Sequence, residues 1–525
     1  MFGISTGCAV LQIALTASRQ KKPLFYILRM ASSSSARTAS SFMFDKAYVD
    51  GKWVSAKSGK TFDVLNPATG EVLGNVPDMN QSDVTEAIDV ANNAFQKWRF
   101  TSPKERSVIL KKWYNLMIEN KKALAALITQ ENGKPTADAE GEVMYSSGFL
   151  EWFAEEAKRT YGDVLPNYVP NKRIMVIRQP IGVTGMITPW NFPSAMLTRK
   201  AGAAIAAGCT VVLKPSEETP FSALALCQLA EEAGLPAGVL NVVTGSRDNA
   251  AALGKELCES PIVSKISFTG STAVGKILLS QCASTVKKAS LELGGNAPFI
   301  VFNSADVKTA VAGAIACRFR CSGQTCICAN RFLVQEGIYD EFVQALGQAV
   351  NAQLKMGDGF ESSTTQGPLI NAKAVVKVDG LVKDAVGSGA NVLAGGEKGS
   401  LGACFYQPTV LSNVTTDMRV AQEEIFGPVA ACIKFKTEQE AVAIANSVRY
   451  GLASYFYTSD MAQAFRVSEA LEFGIVGVNE ALTSAVEATF CGWKESGIGS
   501  EGGKYGIDEY LEMKSICYGG IQPQL

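Results

Sequence analysis

Histidine is missing from all 525 residues of this chain, which removes the side chain that ordinarily titrates near neutral pH and the commonest metal ligand. Catalysis, if there is any, must use carboxylates, thiols, amines or hydroxyls, and no metal site is expected. Long apolar runs are also lacking. None reaches the roughly 18 residues of a membrane-spanning helix, because Gly, Ser or a charge interrupts each one. Neither sign of charge is in excess: 49 basic residues face 50 acidic ones, so there is no basic field for nucleic acid. Thirteen cysteines are present but scattered, without CxxC pairs at zinc-ligand spacing. They suit a reducing compartment better than a disulfide framework. A soluble protein without nucleic-acid or membrane partners is expected.

The length exceeds what one hydrophobic core supports, so two or three domains are expected. The first 44 residues differ from the rest: they carry Arg19, Lys21, Lys22, Arg29 and Arg37, many Ser and Thr, and no acid before Asp45. This composition fits a mitochondrial transit peptide and a matrix location. The rivals are an unstructured tail and a secretory signal over Cys8 to Ala17, which no basic residue precedes.

From Ser82 to about Gly133 the pattern is helical, with Val84, Ile88, Ala91, Phe95 and Trp98 on one face. Ser102, Pro103 and Glu105 form a capping box that opens a second helix, and Gly133 with Pro135 ends the helical stretch. From Val183 onward, short apolar runs alternate with helical stretches: 183–187, 210–213, 240–243, 265–268 and 298–302. This is βαβ spacing, predicting a doubly wound nucleotide-binding domain of α/β class. Ligands of such sheets lie beyond the strand carboxyl ends, so Trp190, Asn191, Lys214, Glu217, Gly245 and Gly270 are the residues to inspect. The βα pattern continues to about residue 480, which predicts a second α/β domain. Tyr505 to Tyr518 alternates too weakly to assign.

Three segments carry the chemistry: Gly323-Gln324-Thr325-Cys326-Ile327-Cys328, Leu291-Glu292-Leu293-Gly294-Gly295, and Thr188-Pro189-Trp190-Asn191-Phe192-Pro193. A lone cysteine is more often a small buried hydrophobe than a nucleophile. Together, the three resemble the signature of the aldehyde dehydrogenase superfamily, over residue 45 to the C-terminus. Lys111 to Ile118, Pro193 to Lys200 and Lys504 to Leu511 are most similar to its mitochondrial succinate semialdehyde branch.

The resemblance implies a Rossmann-type NAD-binding domain (45–159 and 182–293), a second α/β catalytic domain (294–494) and a small β oligomerisation element (160–181 and 495–525) serving a homotetramer. It implies Cys326 as nucleophile, Asn191 with the Cys326 backbone N–H as oxyanion donors, and Glu292 as the base that activates water against the thioester. A thiolate is the reactive form, so the Cys326 pKa is expected to be lowered. Phosphorylating relatives need a Cys/His pair that this chain cannot form. CoA-acylating relatives lack the glutamate, so Glu292 favours hydrolysis.

For the cofactor, Gly270-Ser271-Thr272-Ala273-Val274-Gly275 resembles the family's pyrophosphate loop at a helix N-terminus. Lys214 and Glu217 resemble the adenosine-ribose contacts, with Glu217 favouring NAD over NADP by repelling a 2′-phosphate. Trp190, Glu424 and Phe426 resemble residues around the nicotinamide half. For the substrate, Arg199, Arg320 and Ser484 match contacts to a carboxylate tail, which points to succinate semialdehyde and 4-aminobutyrate degradation. Structural ion pairs are the plain alternative for the two arginines. Glutarate semialdehyde, another short-chain aldehyde, or a non-catalytic crystallin-like role are the rival readings. Cys326 and Cys328 could form a strained, reversible disulfide. Cys321, Cys491 and Ser500 stand where the family pattern has other residues.

Overall fold

The computed structural model describes residues 37–521. The expected transit segment lies outside them as far as residue 36. Its last residues belong to the folded body, which starts at Thr38: the 3-10 turn Ala39–Phe42 buries Phe42 in the same core as Tyr48 and Trp113.

The helical N-terminal stretch begins with Gln81–Trp98, capped by Asn80 and Asp83, with Val84, Ile88, Ala91, Phe95 and Trp98 all buried. Ser102 caps the next helix, Pro103–Glu119. Its Oγ accepts from Glu105 N at 3.2 Å, and the Glu105 carboxylate accepts from Ser102 N at 2.7 Å. The stretch from Ser102 to Gly133 is two helices rather than one. At Asn120 the backbone leaves helical geometry while Asn120 Nδ2 donates to Leu116 O at 2.8 Å, a side-chain competitor for the helical ladder. Lys121–Asn132 then ends at Gly133 with φ 83°. The following helix, Thr136–Glu156, has no counterpart in the sequence reading, because its buried face includes Glu142, Ser146 and Ser147 and so lacks an apolar period.

Among the described residues, one sheet of eight strands has the spatial order 52–54, 47–49, 240–242, 210–214, 183–187, 263–269, 288–292 and 497–498. Its five central strands are parallel; the outer pairs are antiparallel. In chain order the parallel strands run 3-2-1-4-5, so the winding reverses between Val183–Ile187 and Val263–Thr269. A crevice opens at the carboxyl ends of those two strands, where Thr188 to Asn191 and Gly270 to Ser271 follow.

Strand Lys288–Glu292 leads through Leu293 to Asn296 into Ala297–Val301, a central strand of a second sheet of seven. Helix Val307–Phe319 and the loop bearing Cys326 then enter strand Ala329–Gln335 beside it. Glycine is required at both linker positions: a Cβ on Gly294 would sit 2.7 Å from Glu424 Oε2, and one on Gly295 would sit 2.3 Å from the Cys326 carbonyl oxygen.

The weakly patterned C-terminus is a strand, Leu511–Tyr518, paired antiparallel with Arg173–Pro180, which also pairs with Asp163–Leu165. Its alternation was hidden because most of its residues are exposed, Met513 and Tyr518 included, as are Val164 and Leu165 on the same small sheet. No helix of the described residues is long and apolar enough to cross a membrane.

Replacing Ser102 by alanine removes one half of a formed capping box and is expected to lower stability by about 1 kcal/mol, read by urea denaturation, without changing catalytic turnover.

Candidate active site

A cavity of about 420 Å³ opens at the winding reversal and reaches the second sheet. Its wall carries Cys326 and Cys328, Asn191 and Trp190, Arg199 and Arg320, Ser484, Gly270 and Ser271, and Glu424 with Phe426. The structure thus brings most of the sequence-predicted residues to one cavity. Lys214, Glu217, Gly275 and Glu292 do not form its wall.

Each group has a local cause. Asn191 ends the turn leading into helix Pro193–Ala207, whose first N–H groups would otherwise be unpartnered. Glu142 fills that role: its Oε1 accepts from Ser194 N at 2.9 Å and Ala195 N at 3.3 Å. Its Oε2 pairs with Lys134 Nζ at 2.6 Å, and the same ammonium donates to the Asn191 carbonyl oxygen at 2.6 Å. All of this is buried, so the turn is pinned from the helix before it. Asn191 Nδ2 donates one N–H to Gln324 O at 3.0 Å, leaving its second N–H. The Cys326 loop is held in a rare conformation: Cys321, Ser322 and Gly323 have φ of 50°, 54° and 72°. Asp138 accepts from Cys321 N at 3.1 Å, and Ser322 Oγ donates to Gly367 O at 2.8 Å. Non-glycine residues with positive φ store strain that the surroundings must hold. The Cys326 backbone N–H has no hydrogen-bond partner among the described residues, so it and the spare Asn191 N–H are the available donors for an oxyanion.

Contrary to expectation, the surroundings push the Cys326 thiol up. Burial is the main cause, Glu292 and Glu424 add to it, and Arg199 opposes. No imidazole is at hand to oppose that push. Cys326 and Cys328 are both free thiols.

Glu292 closes strand Lys288–Glu292, paired with Thr269 across the sheet. Its Oε2 accepts from Arg199 Nη2 and, at 3.2 Å, from Thr269 Oγ1; its Oε1 has no hydrogen-bond partner among the described residues. Arg199 is therefore not a free guanidinium. Its Nε donates to Glu501 at 2.8 Å, and it lies 4.3 Å over the Phe490 ring. Glu501 in turn takes Lys200 and, at 3.0 Å, Ser267. Burial pushes Glu292 above the usual carboxylate range, with Glu501 adding to the push while Arg199 and Lys200 resist. Against the same upward pull of burial, Lys200 and Arg199 hold Glu501 low. Arg320 has no carboxylate partner among the described residues and rests 5.7 Å over the Phe192 ring.

The residues also fit a dinucleotide. Ser271 caps helix Thr272–Cys282, and Gly270 and Ser271 line the cavity at that helix N-terminus, with the Gly270 amide bonded to the Glu292 carbonyl oxygen at 3.0 Å. A Cβ on Gly275 would meet Leu293 Cδ2 at 2.4 Å, so glycine there lets helix and strand close up. Phe426 meets Trp190 edge-on at 5.6 Å, making an aromatic corner. Glu424 Oε1 accepts from Gly295 N at 3.0 Å. Lys214 Nζ pairs with Glu217 at 3.2 Å, beyond the cavity. Sequence reasoning missed Lys134, Glu142, Tyr145 and Glu501. Buried charges cannot be told from surface ones without the fold, although Glu501 between two glycine-rich turns offered a signal.

The sequence pattern of the aldehyde dehydrogenase family matches residues 53–516. The chain is 56% identical over 494 residues to a mitochondrial succinate-semialdehyde dehydrogenase of Homo sapiens, covering 94% of this chain and 92% of that one. It is 55% identical to a glutarate-semialdehyde dehydrogenase of Pseudomonas aeruginosa, covering 91% and 98%. A solved structure described as an E. coli NADP-dependent enzyme superposes with a TM-score of 0.90 at 54% identity, covering 91% of this chain and 99% of that one.

Two outcomes follow. Lys134→Met strands the buried Glu142 carboxylate and is expected to cost about 3–5 kcal/mol, measured by denaturation. A base that must be ionised, with a pKa above the ordinary 4.5, loses activity as pH falls through that raised value. The rate of thioester hydrolysis should therefore climb with pH through the neutral range. Glu292→Gln should abolish that limb and slow the step by roughly 10²–10⁴-fold, as seen in single-turnover kinetics.

Proposed function

The chain belongs to the aldehyde dehydrogenase family, and from that premise we propose that it oxidises succinate semialdehyde to succinate with a nicotinamide cofactor. One observation carries the substrate: the cavity that holds Cys326 is also lined by Arg320, a cation without a carboxylate partner among the described residues, and by Arg199 and Ser484. An acidic tail supplies the missing charge. The names of the human and Pseudomonas relatives, both semialdehyde dehydrogenases, support a carboxylated aldehyde. Glutarate semialdehyde is the second reading.

The Cys326 thiol gives up its proton to water as its sulfur bonds to the aldehyde carbon. The negative charge that forms on oxygen is met by the second Asn191 N–H and the Cys326 backbone N–H. When bound, the nicotinamide supplies the hydride acceptor that takes the aldehyde carbon to the acyl level. Glu292 then takes a proton from water as the water oxygen adds to the thioester. The carbon–sulfur bond breaks, and Cys326 is regained with release of the acid.

We favour NAD, because the Glu217 carboxylate beside Lys214 would repel a 2′-phosphate; the NADP-dependent neighbour makes this a point to measure. We further propose a mitochondrial matrix location from the basic, acid-free N-terminus, a reading that the human relative's name supports. Residues 45–159 with 182–293 serve as the NAD-binding domain and 294–494 as the catalytic domain. Residues 160–181 with 495–525 form the oligomerisation element, whose exposed Val164, Leu165 and Met513 suit a homotetramer contact. Reversible Cys326–Cys328 oxidation is a proposed means of switching the enzyme off, with peroxide as oxidant.

NADH formation followed at 340 nm tests the reading. Succinate semialdehyde should be preferred over propanal by more than about tenfold in kcat/KM, one to two charge-assisted hydrogen bonds' worth. NAD should be preferred over NADP, and Glu217→Gln should narrow that preference. Equal use of propanal would remove the acidic-substrate assignment while leaving the Cys326 chemistry in place.

A further inference from the structure

The base of the reaction and the arginine of the cavity wall are bonded to each other. Arg199 lines the cavity, whereas Glu292, whose carboxylate it holds, does not. Both side chains are buried, Arg199 with 2% and Glu292 with 4% of its side-chain surface exposed. A carboxylate beside a guanidinium is stabilised in its charged form, which reduces its basicity. It must turn away from Arg199 before it can activate water at the Cys326 thioester.

The guanidinium cannot serve every carboxylate at once. A bidentate bond to a carboxylate uses N–H groups of two nitrogens. Arg199 Nε is committed to Glu501 at 2.8 Å, so an incoming carboxylate needs the Nη1/Nη2 edge, and Nη2 is where Glu292 sits. Three carboxylates around one cation would also repel one another. Glu501 is tied by Lys200 and Ser267 as well, whereas Glu292 is held otherwise only by the Thr269 hydroxyl. Glu292 is the one that yields.

We propose that Arg199 is a latch on the catalytic base: it holds Glu292 until the carboxylate of a substrate takes its place, and the freed Glu292 then turns toward the thioester on Cys326. The idea rests on the carboxylated-aldehyde reading above. Glu501 is the fixed arm, a positioning residue that keeps Arg199 in place as Glu292 leaves. The freed base removes a proton from water while the water oxygen bonds to the acyl carbon. The carbon–sulfur electron pair returns to sulfur, and the sulfur regains a proton. Selectivity is thereby exercised at thioester hydrolysis as well as at binding: a neutral aldehyde acylates Cys326 and then waits, because nothing displaces Glu292.

Rapid mixing of the wild-type enzyme with saturating NAD and acetaldehyde separates the steps. The expected result is a burst of NADH equal to the active sites, followed by slow turnover. Formate, a carboxylate small enough to share the cavity with an acetyl group, should raise the slow rate at a pH above the Glu292 limb, where Glu292 is ionised with or without Arg199. The expected rise is about tenfold, the equivalent of one pKa unit of base strength. Arg199→Met should raise the same rate without formate, make it indifferent to formate, and increase KM for succinate semialdehyde. A wild-type slow phase that formate leaves unchanged overturns the latch, and that arm needs no variant to fold. Hydrolysis of the acetyl-enzyme that is no faster in a folded Arg199→Met protein overturns it too. Either result can coexist with a strong preference for succinate semialdehyde, whereas loss of that preference is a failure of the substrate reading itself.

Discussion

A single buried carboxylate, Glu142, ties the active site to the scaffold. It replaces the missing partners of helix Pro193–Ala207, neutralises Lys134, and through that lysine fixes the carbonyl of Asn191. Two helices, the Asn191 turn and a buried ammonium are thereby set relative to one another away from the surface. Such pairs contribute little net stability against an apolar replacement, but they are costly to break, and they specify one arrangement of the turn.

The rest of the site is built from the same economy of charge. Without histidine, groups that must change protonation are tuned by burial and by neighbours of opposite sign. Glu292 and Glu501 flank one guanidinium, yet one is driven up and the other held down because Glu501 is bonded directly to Lys200 and Ser267, whereas Glu292 feels Lys200 only through its charge. Pairs of like groups whose surroundings push them apart are a common way to divide labour between an ionised and a protonatable carboxyl. The thiol of Cys326 lies under the same influence, since the charge of Glu292 reaches it and Arg199 only partly offsets that charge.

Four of the five parallel strands were legible as short apolar runs; Lys288–Glu292 was not, because Lys288, Ser290 and Glu292 interrupt it, and the fifth run read, 298–302, belongs to the second sheet. The capping box at Ser102 was legible because its residues act locally. Helix Thr136–Glu156 was not, because its inward face carries the charge and hydroxyls that hold the site. Strand Leu511–Tyr518 was not, because its partner lies more than three hundred residues earlier in the chain and its faces are largely exposed. Within the site, Cys326, Glu292 and Asn191 could be singled out from their motifs. That Arg199 faces Glu292 could not, since residues 93 positions apart meet only through the fold.

The small sheet joins the two ends of the story. Leu511–Tyr518 covers one side of Arg173–Pro180 along eight register pairs. A chain that stopped at Tyr510 would keep every group that touches the substrate, yet it would leave the edge of Arg173–Pro180 with open amides and carbonyls beside exposed Val164 and Leu165. Such an edge recruits whatever strand it meets. Late truncations would therefore be felt first as aggregation, in a protein whose chemistry was intact.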